Sequence, residues 1–545
     1  MKKILLGFTI AFAITACQRE GEFPSNPDQN IVISTDTQAL NTRVSLEGAG
    51  VISIFNPELA MGRTLEDTPA GRLPLMLVSQ VEPPRYDGKI LKATHVDIDG
   101  DYAFVSYNKE GPGFYGAIEI YNISNPLKPE ITAQAMFKTA DINSLTYQNG
   151  KLFIAAAFDI DRDFEGNTAA QYMTVDVSNG NFTSDFTRSD IDGFAATDVT
   201  RTPSHTAVAS GSNGSIGLFN GSNEMESELA ISDLRAVKYG NNILAALSGT
   251  EGIHLLNPQT LSNIGKISIP EDIPQSKRTL DMGPEMLFVS EGLRGAGIYS
   301  LPSGNLIEKI AIPINPEGVL SEDLVTNAVS YDENLLLMAN GGAGVSIADL
   351  TNLSNIEKLG ILSLSGSSNF VKIKGQHLFV ATGAGGLQIL KISKEEVEDD
   401  AGNTAIDCSF SGRYMGNQNL NINSNQAEAY RGSNSFKNVN IGGHLIFCGS
   451  MSVENSLNVN SNGLFEMNGS FAFGQYQRNN TLSINSNAVM RISGSAVIYG
   501  DINLNSGATL EFVGEGNTIT IFGEVRKGSN ITISGNFTDT EGKLN

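Results

Sequence analysis

Seven polar residues recur near the starts of successive repeats, and together they could bind a ligand. Each lies two positions before a Val or Leu that opens an apolar strand pattern; the series is Thr94, Asn143, Thr197, Arg235, Arg278, Asn327 and Asn369. The planar guanidinium groups of Arg235 and Arg278 could hold a carboxylate, sulfate or phosphate. If the repeats close into a ring, the series predicts a polar funnel at one mouth. The alternative is that strand starts beside an open channel are simply hydrated.

Two acidic runs have carboxylates at alternate positions, as calcium loops do. Asp159, Asp161 and Asp163 lie in a predicted loop, but Phe164 stands where an EF-hand loop has its glycine. The other run, Asp97-Ile-Asp-Gly-Asp101, is explained by hairpin turn chemistry. We therefore predict no cofactor, with calcium at the first run as the alternative to a solvated acidic loop.

The sequence offers no catalytic constellation. The five histidines are scattered, with no metal-ligand spacing between any pair, and only His95 adjoins the predicted funnel. The funnel positions supply arginines and amides but no pair of acids, which a glycosidase needs. We expect a binding or structural protein and no catalytic residues. A propeller-type extracytoplasmic enzyme acting on glycans is the alternative.

The elements that position the funnel are short strands in a repeated unit. In Ser367 to Ser393, two apolar runs are joined by a Lys-Gly turn, and a glycine cluster then leads into a third. The unit starts again at intervals of roughly 40 to 50 residues, the period of β-propeller blades with four strands each. One such sheet buries little apolar surface, so it needs neighbours.

The third strands of the units are clearest in Gly116 to Pro129, Gly344 to Asn352 and Gly386 to Ser393. These segments resemble the LVIVD repeat family, β-propellers of mostly exported bacterial proteins, and the resemblance extends over about residues 45–393. It implies a fold and a location, since the family has no generally defined molecular function. Seven pairs of a first and a second strand can be counted along the chain, which favours seven blades. N-terminal strands would then complete the last blade. Eight blades follow if Ile31 to Leu46 forms another pair.

The first seventeen residues have the pattern of a lipoprotein signal. Lys2 and Lys3 precede an apolar segment, Ile4 to Ile14, that is too short for a membrane span. The ending Ile14-Thr15-Ala16-Cys17 resembles the lipobox of bacterial lipoproteins, in which the cysteine carries the lipid; an ordinary secretory signal is the alternative. The acidic residues after Cys17 are similar to surface-export signals of Bacteroidota lipoproteins. We expect a tether at residues 18–30 and a lipid anchor in the outer membrane, facing the periplasm or the cell surface.

A second repeat follows an acidic linker at residues 394–405. Leu457 to Gly469 recurs as Leu482 to Gly494 and Ile502 to Gly514, with alternating apolar residues and Asn-Ser corners. The spacing of about 20 to 25 residues fits a coil of a parallel β-solenoid, and a small antiparallel sandwich is the alternative. Cys408 and Cys448 would form a disulfide outside the cytoplasm, or remain two buried thiols.

These patterns predict an all-β protein with a propeller at residues 31–393 and a small solenoid-like domain at residues 406–545. The net charge of −23 excludes a nucleic-acid partner, because such a protein must neutralise phosphates with clustered Lys and Arg. We expect a cell-envelope protein that uses the propeller as a recognition platform for a protein or glycan, which the sequence does not name.

Overall fold

A computed structural model describes residues 30–52, 54, 70–163, 166–269, 277–312, 319–393, 406–409 and 411–544. These residues form an all-β protein with a seven-bladed propeller followed by a parallel β-solenoid. The predicted lipid attachment site Cys17 and the linker 394–405 lie outside the described residues. No helix among the described residues is long and apolar enough to cross a membrane.

Each blade is an antiparallel sheet of four strands, named A to D from the axis outward. In blades 1 to 4 the strands are Lys92–Asp99, Tyr102–Asn108, Gly116–Asn122 and Glu130–Phe137; Ala140–Gln148, Lys151–Phe158, Ala170–Ser178 and Thr187–Asp190; Ala196–Arg201, Thr206–Ser210, Ser215–Phe219 and Met225–Ala230; Leu234–Gly240, Ile243–Ser248, Gly252–Leu256 and Asn263–Ile267. In blades 5 to 7 they are Leu280–Gly283, Met286–Ser290, Ala296–Ser300 and Leu306–Ile310; Ala328–Asp332, Leu335–Ala339, Val345–Asp349 and Glu357–Leu362; Phe370–Lys374, His377–Ala381, Leu387–Ile392 and the N-terminal Leu75–Val81.

The ring closes in blade 7, where an N-terminal strand supplies strand D. Leu75–Val81 pairs antiparallel with Leu387–Ile392, which removes the unpaired edge that an open ring would leave. The prediction of seven blades is confirmed. The eight-bladed alternative is wrong, because Ile31–Ser34 pairs with strand D of blade 1 and Val44–Ser45 pairs outside Leu75–Val81.

Small elements complete the propeller. Gly50–Ile52 also pairs with strand D of blade 7, and Asn181–Phe182 pairs with strand C of blade 2. The strands Arg85–Tyr86 and Lys89–Ile90 form a hairpin between blades 7 and 1. The helical segments among the described residues are the α-turn Thr37–Leu40 and the 3₁₀ turns Asn41–Arg43 and Ser321–Asp323.

The apolar core of the propeller consists of layers between neighbouring blades. Phe104 and Ile118 of blade 1, for example, pack with Ile142, Ile154 and Met173 of blade 2. Because each sheet buries its two faces against two neighbours, a blade that would be unstable alone is stabilised by the ring.

The solenoid has three faces, and its strands pair in parallel from one coil to the next. Its strands are Gly412–Arg413, Asn419–Ile422, Ala427–Ile441, His444–Val459, Leu464–Phe473, Thr481–Ile484, Val489–Ile498, Asp501–Leu504, Thr509–Ile521, Val525–Lys527 and Thr532–Asp539. Leu445, Phe465, Met490 and Leu510 stack in register in the core. The parallel pairing excludes the antiparallel sandwich.

The solenoid docks against the outer edge of blade 7. The amide of Val51 donates to the carbonyl of Gly474 at 2.8 Å, and the amide of Tyr476 donates to Ala49 at 2.7 Å. Ala472, Val497 and Tyr499 of the solenoid belong to the same apolar cluster as blades 6, 7 and 1. The two domains therefore share a core.

Candidate functional site

The predicted funnel residues lie at the starts of the seven A strands, and most of them join neighbouring blades. In five of the seven, the side chain donates to the carbonyl just before the equivalent position of the next blade: Thr94 to Ile142 at 3.0 Å, Asn143 to Ala196 at 2.8 Å, Thr197 to Leu234 at 3.3 Å, Asn327 to Ser368 at 3.3 Å and Asn369 to Ala93 at 2.9 Å. These bonds satisfy carbonyl groups near the starts of the A strands, which have no neighbouring strand on their axial side. The series is thus a ring of blade-to-blade bonds.

The two funnel arginines each have a partner within their own blade. Arg235 forms an ion pair with Asp233 at 3.0 Å. Arg278 is 1% exposed, and its Nε donates to the carbonyl of Ser290 at 2.9 Å. These contacts hold each arginine against its own blade.

Charged side chains meet around the ring axis, beside the funnel positions. This axial cluster consists of His95, Asp97, Asp198, Lys238, Lys277, Asp281 and Lys372. Lys238 pairs with Asp281 at 2.8 Å, and Lys372 pairs with Asp97 at 3.5 Å. Solvent reaches the axis, since the two lysine side chains are 30% and 31% exposed. Three lysines balance three aspartates there.

The three aspartates also bind backbone amides of the next blade. Asp97 accepts from the amide of Tyr147 at 2.8 Å, Asp198 from Val237 at 3.0 Å and Asp281 from Tyr331 at 2.9 Å. Strand A has no neighbour on its axial side, so its amides need side-chain acceptors. Each carboxylate therefore closes a gap between two inner strands as well as balancing a lysine.

Lys277 spans the mouth of the ring. It precedes strand A of blade 5, and its Nζ donates to the carbonyls of Thr94 at 2.8 Å and Asn143 at 2.9 Å, which belong to blades 1 and 2 on the opposite side. Burial lowers the pKa of Lys277 from 10.5 to about 8, against the attraction of Asp198. The ammonium ties both halves of the ring together at one point.

His95 is the one histidine of the axial cluster. Its ring stacks on Phe370 with centroids 3.8 Å apart, and Nδ1 lies 3.2 Å from Ser144 Oγ, which donates to Asp198 at 2.6 Å. Burial, and then the positive charges of Lys277 and the other axial lysines, lower the pKa of His95 well below 6.5. The imidazole is therefore neutral at physiological pH. It packs on Phe370 through its face and contacts the hydroxyl of Ser144 through Nδ1.

A second group of side chains converges on Tyr115, on the face where the A strands begin. Lys89 Nζ, Lys109 Nζ and Arg162 Cζ lie 5.7, 5.6 and 5.5 Å from the centre of its ring. Tyr86 lies beside Tyr115, with ring centroids 5.0 Å apart. Three loops that are remote in sequence thus bring three cations to one aromatic ring.

Exposed aromatic surface extends this group toward blade 3. Phe194 is 67% exposed and lies 6.3 Å from the ring centroid of Phe114. Asp141 accepts from the amide of Tyr115 at 3.2 Å, and burial raises its pKa to about 7 despite that bond and the nearby Lys109. We call Tyr86, Lys89, Lys109, Phe114, Tyr115, Asp141, Arg162 and Phe194 the Tyr115 patch.

The predicted calcium loop does not converge on one point. Asp163 turns inward to Arg188 at 2.9 Å and Thr139 at 2.8 Å, whereas Asp159 lies 3.6 Å from Arg162. No group of three or more metal-ligating side chains occurs in the part of the chain that the structure describes. In the solenoid, a disulfide joins Cys408 to Cys448, whose Cα atoms are 6.0 Å apart; it ties the start of the domain to strand His444–Val459.

The axial cluster and the Tyr115 patch were both missed in the sequence. For four members of the cluster a signal exists: the position after the aligned Val or Leu, three residues beyond each funnel residue, is also polar, as Asp97, Thr146, Thr200, Lys238, Asp281, Ser330 and Lys372. The Tyr115 patch has no such signal in the sequence, because Lys89, Lys109 and Arg162 lie in different types of loop and at non-equivalent positions of their repeats.

Comparisons with known proteins assign no function. No family model matches the chain, and no curated protein matches it. Among solved structures, the computationally designed Ika8 protein is similar with a TM-score of 0.37 and 12% identity, covering 64% of this chain and 98% of that one. A likeness at this level carries no conclusion about ligands.

Proposed function

We propose that this protein is a lipid-anchored binding protein of the cell envelope, whose propeller recognises an acidic glycan at the Tyr115 patch. The observation that carries the proposal is the convergence of Lys89, Lys109 and Arg162 on one tyrosine ring. The three cations repel one another, although Asp159 offsets part of this at Arg162, 3.6 Å away, and an anionic ligand between them would relieve the remaining repulsion. The exposed ring of Phe194 and the half-buried ring of Phe114 beside it would contact the apolar faces of sugar rings.

The location in the envelope rests on the N-terminal sequence. Residues 1–17 resemble a lipoprotein signal ending at Cys17, and the repeats resemble the LVIVD family of exported proteins. The Cys408–Cys448 disulfide agrees with an oxidising compartment. We infer an outer-membrane lipoprotein of the Bacteroidota type. Changing Cys17 to Ser should abolish lipid labelling and release the protein from the membrane fraction; unchanged labelling would contradict the anchor.

The binding test removes charge from the patch. The variant Lys89→Gln/Lys109→Gln should bind polygalacturonate at least about tenfold more weakly than the unaltered protein, since it loses two charge-assisted contacts. Binding should also weaken with added salt. The control is Lys151→Gln, a lysine at the start of strand B and so on the opposite face of the propeller. Equal affinity of the double variant, or no binding of polygalacturonate by the unaltered protein, would refute the proposal.

A propeller-type enzyme acting on glycans is the second candidate, and one observation favours it. Burial raises the pKa of the Asp141 carboxyl to about 7, so this group can carry a proton near neutral pH, as a general acid must. Polygalacturonate should then be shortened by the unaltered protein and left intact by Asp141→Asn. Binding without any shortening would retain the first proposal and remove this one.

A further inference from the structure

One face of the solenoid carries two rows of uncharged polar side chains. The strand register aligns Asn419, Asn438, Ser456 and Thr481 in the first row, and Asn421, Asn440, Asn458 and Ser483 in the second. Along each strand these residues alternate with core residues such as Leu420 and Val439, so all eight point outward. Charge returns at the fifth coil, with Asp501.

Hydrogen bonds hold the amides of both rows in one orientation. Asn438 donates to Asn419 at 2.8 Å and accepts from Ser456 at 2.8 Å, while Asn440 donates to Asn421 at 3.1 Å and accepts from Asn458 at 3.1 Å. An amide has two N–H groups and two acceptor positions, and each ladder bond uses one of them. Asn438 and Asn440 therefore each keep one donor and one acceptor for a ligand. Successive side chains in a row are separated by the coil spacing of about 4.8 Å.

The first three coils of this face form a shallow depression. Its volume is about 450 Å³, and it is lined by Asn417, Asn419, Asn421, Asn438, Asn440 and Ser456. A different face of the solenoid, the one that carries Ala472 and Val497, docks on the propeller. The lining residues of the depression all belong to the solenoid, and they are uncharged on a protein whose net charge is −23.

We propose that this asparagine face binds a neutral polysaccharide chain along its two rows. Sugar hydroxyls donate and accept hydrogen bonds, as the remaining amide groups do, and a polymer with a short repeat can bond to successive coils. The absence of charge from the lining disfavours an ionic ligand, because no side chain there would compensate for its desolvation. Several weak contacts repeated along one chain give avidity. This site is separate from the Tyr115 patch and does not depend on its function.

Affinity electrophoresis of the mature protein tests the inference, with dextran, laminarin and yeast mannan as three neutral probes. At least one of them should retard the unaltered protein. The variant Asn421→Ala/Asn440→Ala should weaken that retardation at least about tenfold, as expected when several hydrogen bonds are lost. The control Asn485→Ala/Asn505→Ala breaks the same kind of ladder bond, 2.8 Å long, at a corner outside the depression, and it should change the retardation less than about twofold.

A second variant keeps the test valid if the first destabilises the coils. Asn417→Arg places a long charged side chain at the exposed rim of the depression without breaking either row, and it should also abolish retardation. Full retardation of this variant, or no retardation of the unaltered protein by any of the three probes, would overturn the inference. If Asn417→Arg instead dissociates a dimer seen by sedimentation and no probe binds, the face is an interface between copies and the inference is again wrong.

Discussion

At the residue scale, the axial lysines differ in whether their partners lie in an adjacent blade or on the opposite side of the ring. Lys238 and Lys372 each meet a carboxylate from an adjacent blade. Lys277 instead reaches carbonyl groups on the opposite side. A carboxylate stabilises an ammonium more than carbonyl groups do, so less of the desolvation penalty of Lys277 is offset by its partners. The pKa of Lys277 is therefore lowered, whereas that of Lys238 is raised by Asp281.

We predict that Lys277 makes stability depend on pH between about 8 and 10.5. Its pKa is lowered from 10.5 to about 8 in the native state, so over this range the unfolded chain binds a proton that the native chain lacks, and stability rises with pH. Between pH 8 and 10.5, the free energy of unfolding of the unaltered protein should rise by about 3 kcal/mol relative to that of Lys277→Met, as measured by urea denaturation. Asp281 raises the pKa of Lys238, so the effect of Lys238→Met should stay constant from pH 8 to 10. Parallel curves for the two variants would contradict this.

Sequence periodicity identified the correct strand starts but not what their side chains do. The alignment that selected Thr94 and Asn143 placed them correctly in the first halves of A strands, where both bond to the next blade. The sequence could not distinguish a ligand-binding amide from one that binds a carbonyl of the same ring. Nor could it show the role of Lys277, whose partners Thr94 and Asn143 lie on the opposite side of the ring.

At the element scale, close approach of the backbone fixes the corners of the solenoid. Gly432, Gly449, Gly469 and Gly494 stack in register, each with a φ between 115° and 125°. A Cβ on Gly469 would lie 2.1 Å from the carbonyl oxygen of Gly449, whereas one on Gly432 would meet nothing within 4 Å. The two glycines share the same backbone constraint and differ in the space available.

We predict that Gly469→Ala destabilises the solenoid much more than Gly432→Ala does. Both substitutions bring backbone strain of about 1 to 3 kcal/mol, but only Gly469→Ala forces two coils apart. The excess should reach about 2 kcal/mol or more in the free energy of unfolding, measured with urea. Equal losses would mean that the backbone angle alone requires glycine at these corners. The repeat ending at Gly469 and Gly494 was visible in the sequence, but the stacking behind it was not.

At the scale of the whole molecule, the N-terminal segment both closes the propeller ring and connects it to the solenoid. Strand Leu75–Val81 completes blade 7, and Gly50–Ile52 then lies between that strand and the solenoid. The sequence predicted the shared blade from its strand count and the need to cover edges. It could not predict docking, because Ala472 and Val497 occupy outward positions of the solenoid repeat and are buried only by the propeller.

Docking of this kind should make the two domains unfold together, and one substitution tests that. Val497 is 9% exposed in the shared core, so Val497→Glu would bury a charge without a partner, which costs several kcal/mol. Calorimetry should show one transition for the unaltered protein and two for this variant. Val489→Glu is the control: it lies on the same strand, Val489–Ile498, but on a face that the propeller does not cover, so the single transition should persist. Two transitions in the unaltered protein would mean that the shared core does not couple the domains, and the solenoid would then be an independent unit presenting its asparagine face.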